Sequence, residues 1–312
     1  MKKKVTILVF VLAILFQGRL WAIQWDPVAT GYSYHFHAVK FCDAAKGVIV
    51  GQQAILRTTD GGENWNRVFN DPSRTVYDVD GEGDILFALA DWGRIYRSTN
   101  CGQTWNRVQL FKKDLYSLAV PSAERPEKVV VVGPDGIFRT YNGEGRTVSI
   151  PRSDNFKSVH FIDANNGFIA GENGTVLATN NGGSTWSQLV SPGEGLSLRR
   201  IFASSISDIF ITERTGNLCV SSWGGWAWRM RTATPGIDYQ SIAFGVNRYR
   251  MVGSQGKIAV SNNEGETWEE EDSGTNALLR DIIYAAPAHR WFAVGNNGTL
   301  LRSRLLTLRI NR

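Results

Sequence analysis

The chain has 312 residues, 43% of them hydrophobic and 20% charged, with 32 glycines, 11 tryptophans and a formal net charge of +5. That apolar content excludes a disordered chain, and a single domain of about 290 residues buries a large core. Four basic residues (Lys2, Lys3, Lys4 and Arg19) and no acid fall within the first 22 positions, so setting that segment aside lowers the charge from +5 to +1 and removes any electrostatic footprint for DNA or RNA.

Residues 1–22 read as a secretory signal. A basic head (Lys2 to Lys4) precedes the apolar run Val5–Phe16, and Leu20-Trp21-Ala22 offers a cleavage site. The run is short for a bilayer span; left uncleaved, it would be an N-terminal anchor. The expected product is exported to the periplasm or the cell exterior, or to the lumen of a photosynthetic host. Residues 23–312 form one domain. Its three cysteines, Cys42, Cys101 and Cys219, are far apart with no ligand spacing, and their strand positions suggest small buried fillers, with one disulfide at most.

From there a phrase of the form Ser/Thr-x-Asp/Asn-x-Gly-x-x-Trp recurs about every forty residues. Its clear copies carry Asp60 with Trp65, Asn100 with Trp105, Asn181 with Trp186 and Asn263 with Trp268. Weaker copies run from Thr140 to Val148, where Val148 replaces the Trp, and from Ser221 to Trp228, where Trp223 replaces the acid. Each box is a turn whose acid or amide accepts backbone N–H groups, and whose Trp opens an outer strand and seals the edge between units.

Each unit begins with a strand that is apolar at its first and fourth positions. The first is Phe36, Val76, Leu115, Phe156, Leu198, Tyr239 and Leu279; the fourth is Val39, Val79, Leu118, Val159, Ile201, Ile242 and Ile282. A second apolar strand, a turn such as Gly171-Glu172-Asn173-Gly174 that suits positive φ, and a third strand lead into the box. Stacked units of this kind make an all-β, seven-bladed propeller with Asp-box repeats. The seventh unit ends at Leu300-Leu301-Arg302-Ser303 without a box, while Trp25-Asp26-Pro27-Val28 resembles Trp65-Asn66-Arg67-Val68. The N-terminal strand is therefore expected to complete the last blade and pair its open edge.

Loops on the face opposite the boxes are the expected place for binding. The second inner-strand position there reads His37, Tyr77, Tyr116, Lys157, Arg199, Gln240 and Arg280; the third reads Ala38, Asp78, Ser117, Ser158, Arg200, Ser241 and Asp281. Basic groups and tyrosines at one mouth of a channel, with Arg200 beside them, suit carboxylate or backbone recognition. Alternatively, they pair with Asp78, Asp281 and inter-blade carbonyls and only hold the ring shut. Arg229, Arg231, Arg248 and Arg250 extend a basic flank or are solvated rim charges. The histidines have no ligand spacing, apart from His35 and His37 on one strand face, so neither metal nor cofactor is expected.

The whole pattern resembles the photosystem II stability and assembly factor family. It is clearest at Gly171-Glu172-Asn173-Gly174-Thr175-Val176-Leu177-Ala178-Thr179 with its box and at Ala54-Ile55-Leu56-Arg57-Thr58-Thr59-Asp60-Gly61-Gly62. The resemblance implies a seven-bladed, non-enzymatic, exported monomer that binds a protein client, a segment of a membrane subunit. It also implies an Arg-rich contact patch, which by blade position falls on Arg199, Arg200 and Arg280. Degenerate third and fifth boxes and a missing lipid-attachment cysteine depart from the pattern. The alternatives are a sialidase-like or xyloglucanase-like hydrolase and a cell-surface carbohydrate-binding propeller. Retaining hydrolysis needs two close carboxyl groups, and only Asp78 and Asp281 stand near the mouth.

Overall fold

The structure is a computed structural model that describes residues 23–122, 128–134, 136–141, 144–148, 150 and 154–304. The leader expected at 1–22 lies outside them. Regular elements among the described residues are strands and single turns of 3-10 helix. Strand pairing divides them into seven antiparallel sheets, numbered here as blades one to seven in chain order. Strand Asn66–Glu82 runs without a break from the outer edge of blade one, where Asn66 pairs with Arg57, to the inner edge of blade two, where Val76 pairs with Ala90. The inner strand of each blade touches the next, and Leu279–Ala285 of blade seven touches Phe36–Phe41 of blade one. At the outer edge of blade seven, Trp25–Pro27 pairs with the third strand through Trp25 with Ser303, Asp26 with Arg302 and Pro27 with Leu301.

The cores lie between blades rather than within them. Phe36, Ile49 and Trp65 of blade one pack with Phe292, Val294 and Leu300 of blade seven, and each later seam has its own apolar cluster. Both faces of every sheet are thus covered, which explains the continuous runs such as Val129–Val132, all fully buried.

The apolar first and fourth positions have a local cause. In a regular strand they would face opposite sides. Here the register shifts between Phe36 and Ala38, Val76 and Asp78, Phe156 and Ser158, Tyr239 and Ser241, and Leu279 and Asp281. The second position is the extra residue of a bulge, which returns the fourth to the face of the first and turns the second outward.

The boxes fold as their residues require. Asp60 Oδ1 accepts the N–H groups of Glu63 and Asn64 at 3.0 and 2.9 Å, and the Thr58 hydroxyl accepts that of Gly62 at 3.0 Å. Asn100, Asn181 and Asn263 each accept the N–H four residues on. The indole N–H of Trp65, Trp105 and Trp268 donates to the carbonyl three residues back; that of Trp186 is buried without a partner. In the turns between second and third strands, Asn173, Gln255 and Asn297 take φ of 56°, 58° and 57°. Glycine follows each because a Cβ at Gly256 would lie 1.8 Å from the Thr275 carbonyl oxygen.

Three expectations need correction. Cys42 and Cys101 are not separate fillers: they form a disulfide with Cα atoms 6.1 Å apart, tying a turn of blade one to the box of blade two, while Cys219 is buried and unoxidised. The copy from Thr140 to Val148 is not a box. Its strands pair directly, Tyr141 opposite Glu144, and Val148 packs in the seam with the following blade. Box tryptophans such as Trp65 and Trp186 pack in the seam with the preceding blade, and so does Trp25.

Arg250 is neither a patch nor a rim charge. Its side chain is 1% exposed, pairs bidentately with the equally buried Glu271 at 2.9 and 2.8 Å, and lies 4.7 Å over the Trp291 ring. Glu271 also accepts the indole N–H of Trp25 at 3.1 Å, so the pair sits where the closing strand docks.

Candidate functional site

Third-position side chains line a central channel of about 810 Å³, whose walls include Asp78, Arg200, Ser241 and Asp281. An inner strand has no strand partner on its channel edge, so its outward N–H groups need other acceptors. The neighbouring blade supplies them. Asp78 accepts the Leu118 N–H at 3.0 Å and the Ser117 hydroxyl at 2.9 Å; Asp281 accepts the Val39 N–H at 3.1 Å and the Ser241 hydroxyl at 2.8 Å. Ser117 and Ser158 accept the N–H groups of Val159 and Ile201 at 3.4 and 3.2 Å.

The channel is therefore a ring of cross-blade acceptors with charge at its centre. Burial pushes the Asp78 carboxyl up to about 6 against the opposing pull of Arg200, and raises Asp281 in the same way. Arg200 Nη1 stands 3.9 Å from Asp78. Arg200 is thus not beside the outward-facing basic groups; one step along the bulge sends it into the channel. Farther along, Lys40 Nζ meets Asp80 at 2.7 Å, and burial, with Arg200 nearby, holds His160 down to about 4.

Second-position side chains are placed differently, around the rim opposite the boxes. His37 stacks on Tyr77 with centroids 5.5 Å apart, and Lys157 Nζ lies 4.6 Å over the Tyr116 ring. Both tyrosines are 40% exposed. Burial, then the charges of Arg280 and His35, lower His37 to about 3, so it is neutral near pH 7. Burial, and then the charges of Asp91 and Asp114 and the Tyr116 phenol, raise Tyr77. Arg280, His37, Tyr77, Tyr116 and Lys157 follow one another around the rim from blade seven to blade four.

The charges on that rim are largely compensated. Arg199 makes two hydrogen bonds to Asp238, at 3.2 and 3.0 Å, and Lys157 reaches Glu172 at 3.4 Å. Arg280 donates to the neutral Asn296 at 2.8 Å. Gln240 is half-buried at the same position of blade six. Trp92, at a turn tip with φ of 60°, is 61% exposed with Arg94 5.7 Å over its ring. The face is thus an aromatic arc with one arginine paired to an amide. Sequence spacing missed the neutralising groups Glu172 and Asp238, which belong to the turns and not to the inner-strand pattern.

The family model described as photosynthesis system II assembly factor YCF48 matches residues 18–144. The chain resembles the photosystem II assembly factors. It is 23% identical over 280 residues to the photosystem II assembly lipoprotein Ycf48 of Synechococcus sp. (strain CC9902), covering 85% of this chain and 83% of the relative. It is 24% identical over 310 residues to the chloroplastic photosystem II stability/assembly factor HCF136 of Arabidopsis thaliana, covering 91% and 68%.

Among solved structures, YCF48 from Cyanidioschyzon merolae superposes with a TM-score of 0.75 at 21% identity, covering 90% of this chain and 98% of that one. YCF48 bound to D1 peptide gives 0.74 at 16%, covering 91% and 98%. The WD40 propeller domain of Doa1 also gives 0.74, at 10% identity and the same coverage, so shape alone establishes the propeller and no more.

Proposed function

We propose that this protein is an exported, non-catalytic propeller that holds a segment of a membrane-protein client against the rim opposite its boxes. The single observation carrying this is the arc from Arg280 through His37, Tyr77 and Tyr116 to Lys157, in which two exposed tyrosines offer stiff aromatic area and the half-buried Arg280 is held by the neutral Asn296. Aromatic and arginine side chains dominate binding hot spots. The likeness to YCF48 bound to D1 peptide supports a peptide segment as the ligand. Arg199 and Gln240 border the arc, and Arg200 acts from the channel as a structural charge. Hydrolysis has less support, because Asp78 and Asp281 already accept backbone and hydroxyl hydrogens across blade seams.

Photo-crosslinking amino acids placed at Tyr77 and Tyr116 in living cells test this reading. Adducts to one membrane-integrated protein are expected at both positions and are lost with Arg280→Glu. Absence of adducts at both, or turnover of a sialoside or β-glucan by the purified protein, would overturn it.

A further inference from the structure

The box face of blades five and six breaks the rules of its own turns. Box position three, held elsewhere by Asp60, Asn100, Asn181 or Asn263, is Trp223, which gives up the acceptor role and is 58% exposed. Three residues on, Trp226 is 76% exposed. The adjoining turn, joined to this box by the Gly224 N–H to Ser207 carbonyl bond of 2.9 Å, carries Ile206, 60% exposed. In blade six the hairpin tip is Val246-Asn247, with φ of 51° and 55°. A β-branched residue in that region is a steric outlier where glycine or asparagine is ordinary. Val246 is nevertheless 63% exposed, so no packing within the ring compensates the strain.

These tips share one face of the ring, because they lie in turns between strands one and two or strands three and four of their blades. A pocket of about 240 Å³ running from Trp223 to Phe244 joins the two blades, and Phe244 is itself 40% exposed. Arg231 meets both oxygens of Glu266 at 2.8 and 2.7 Å, Arg229 stands 3.9 Å from Glu266 and 5.5 Å over the Trp223 ring, and Asp208 and Glu264 also line the pocket, so its acids outnumber its arginines by one. Local-rule violations without a stabilising return mark functional positions.

We propose that this face docks on an uncharged lipid surface, with Ile206, Trp223, Trp226 and Val246 entering the headgroup region. Two features select that occupant. Aliphatic tips beside indoles suit the bilayer interface, where tryptophan is enriched, and a pocket whose acids outnumber its arginines by one does not favour anionic headgroups. The described chain also begins on this side: Trp25 pairs with Ser303, the counterpart of the residue that opens each box. The client-binding rim would then point away from the membrane plane. This orientation does not depend on the client reading.

The exported chain, recovered as the cell leaves it, is mixed with phosphatidylcholine–phosphatidylethanolamine vesicles whose acyl chains carry bromine. Quenching of tryptophan fluorescence is expected for the wild type. In the variant Trp223→Asp, Trp226→Asn, Val246→Gly, the vesicle-bound fraction should fall about tenfold or more. Its melting temperature should hold or rise, because aspartate restores the box and glycine accepts positive φ. Tyr77→Ala should leave quenching unchanged. Absence of quenching in the wild type, equal quenching in the triple variant, or binding that appears only with anionic lipid and vanishes in salt would overturn the proposal. A concentration-dependent dimer broken by the variant without vesicle binding would also overturn it, in favour of a second copy as occupant.

Discussion

Positions two and three of the inner strand are neighbours in sequence and carry similar residue types, yet they separate into different environments. At position three, Asp78 and Asp281 are 4% and 5% exposed and accept hydrogens from the next blade. At position two, Tyr77 and Tyr116 stand out from the rim, and the charges beside them pair with loop acids, Lys157 with Glu172 of its own blade and Arg199 with Asp238 of the next. The bulge makes the difference by turning one residue out and the next in. Polar groups at the third position consequently act on stability, and those at the second act on whatever meets the surface.

The largest effect is expected at the seam between blades six and seven. Glu271→Ala strands Arg250 without its carboxylate and removes the acceptor of the Trp25 indole, so it should cost about 3–5 kcal/mol in denaturant unfolding. A loss below about 1 kcal/mol would mean that water reaches the site. Reduction of the Cys42–Cys101 disulfide, 59 residues apart, should follow at about 2–4 kcal/mol, seen as a reductant-dependent fall in the unfolding midpoint.

Asp281→Ala should cost about 1–3 kcal/mol, because the Val39 N–H and the Ser241 hydroxyl lose a shared acceptor. Asp78 sharpens the contrast through pH. Its folded-state carboxyl titrates near 6, above the ordinary aspartate value, so the folded form binds the proton more tightly. The associated stabilisation is present below about pH 4 and is lost as pH rises through 6. Asp78→Asn should flatten the dependence of stability on pH across that interval, and an unchanged slope would assign it to another group.

The smallest stability effect belongs to the rim. Tyr77→Ala with Tyr116→Ala should shift stability by only about 0.5 kcal/mol while abolishing capture of the client. A destabilisation as large as that of Asp281→Ala would erase the distinction between the two positions.

Much of this architecture is legible in the residues. Boxes at Asp60, Asn100, Asn181 and Asn263 fold as their donors and acceptors dictate, since a box closes its hydrogen bonds within eight residues of chain. The buried first and fourth positions and the likeness of Trp25 to Trp65 and Trp105 likewise follow from a period that repeats. The site was less legible. Second-position residues could be named, but Arg200 reads as their companion until the bulge registers are known.

The repeat, the box turns, the alternation of buried and turn-forming residues and the set of side chains offered at the rim are readable from the residues alone, because each depends on contacts local to one unit. Which distant residues meet is set by the closure of the ring. Cys42 finds Cys101, Arg250 and Glu271 find Trp25, and Asp281 finds Val39 across the seam where the last blade touches the first. Closing a ring brings together groups as many as 278 positions apart in the chain, Asp26 and Arg304, and no local preference records that juxtaposition.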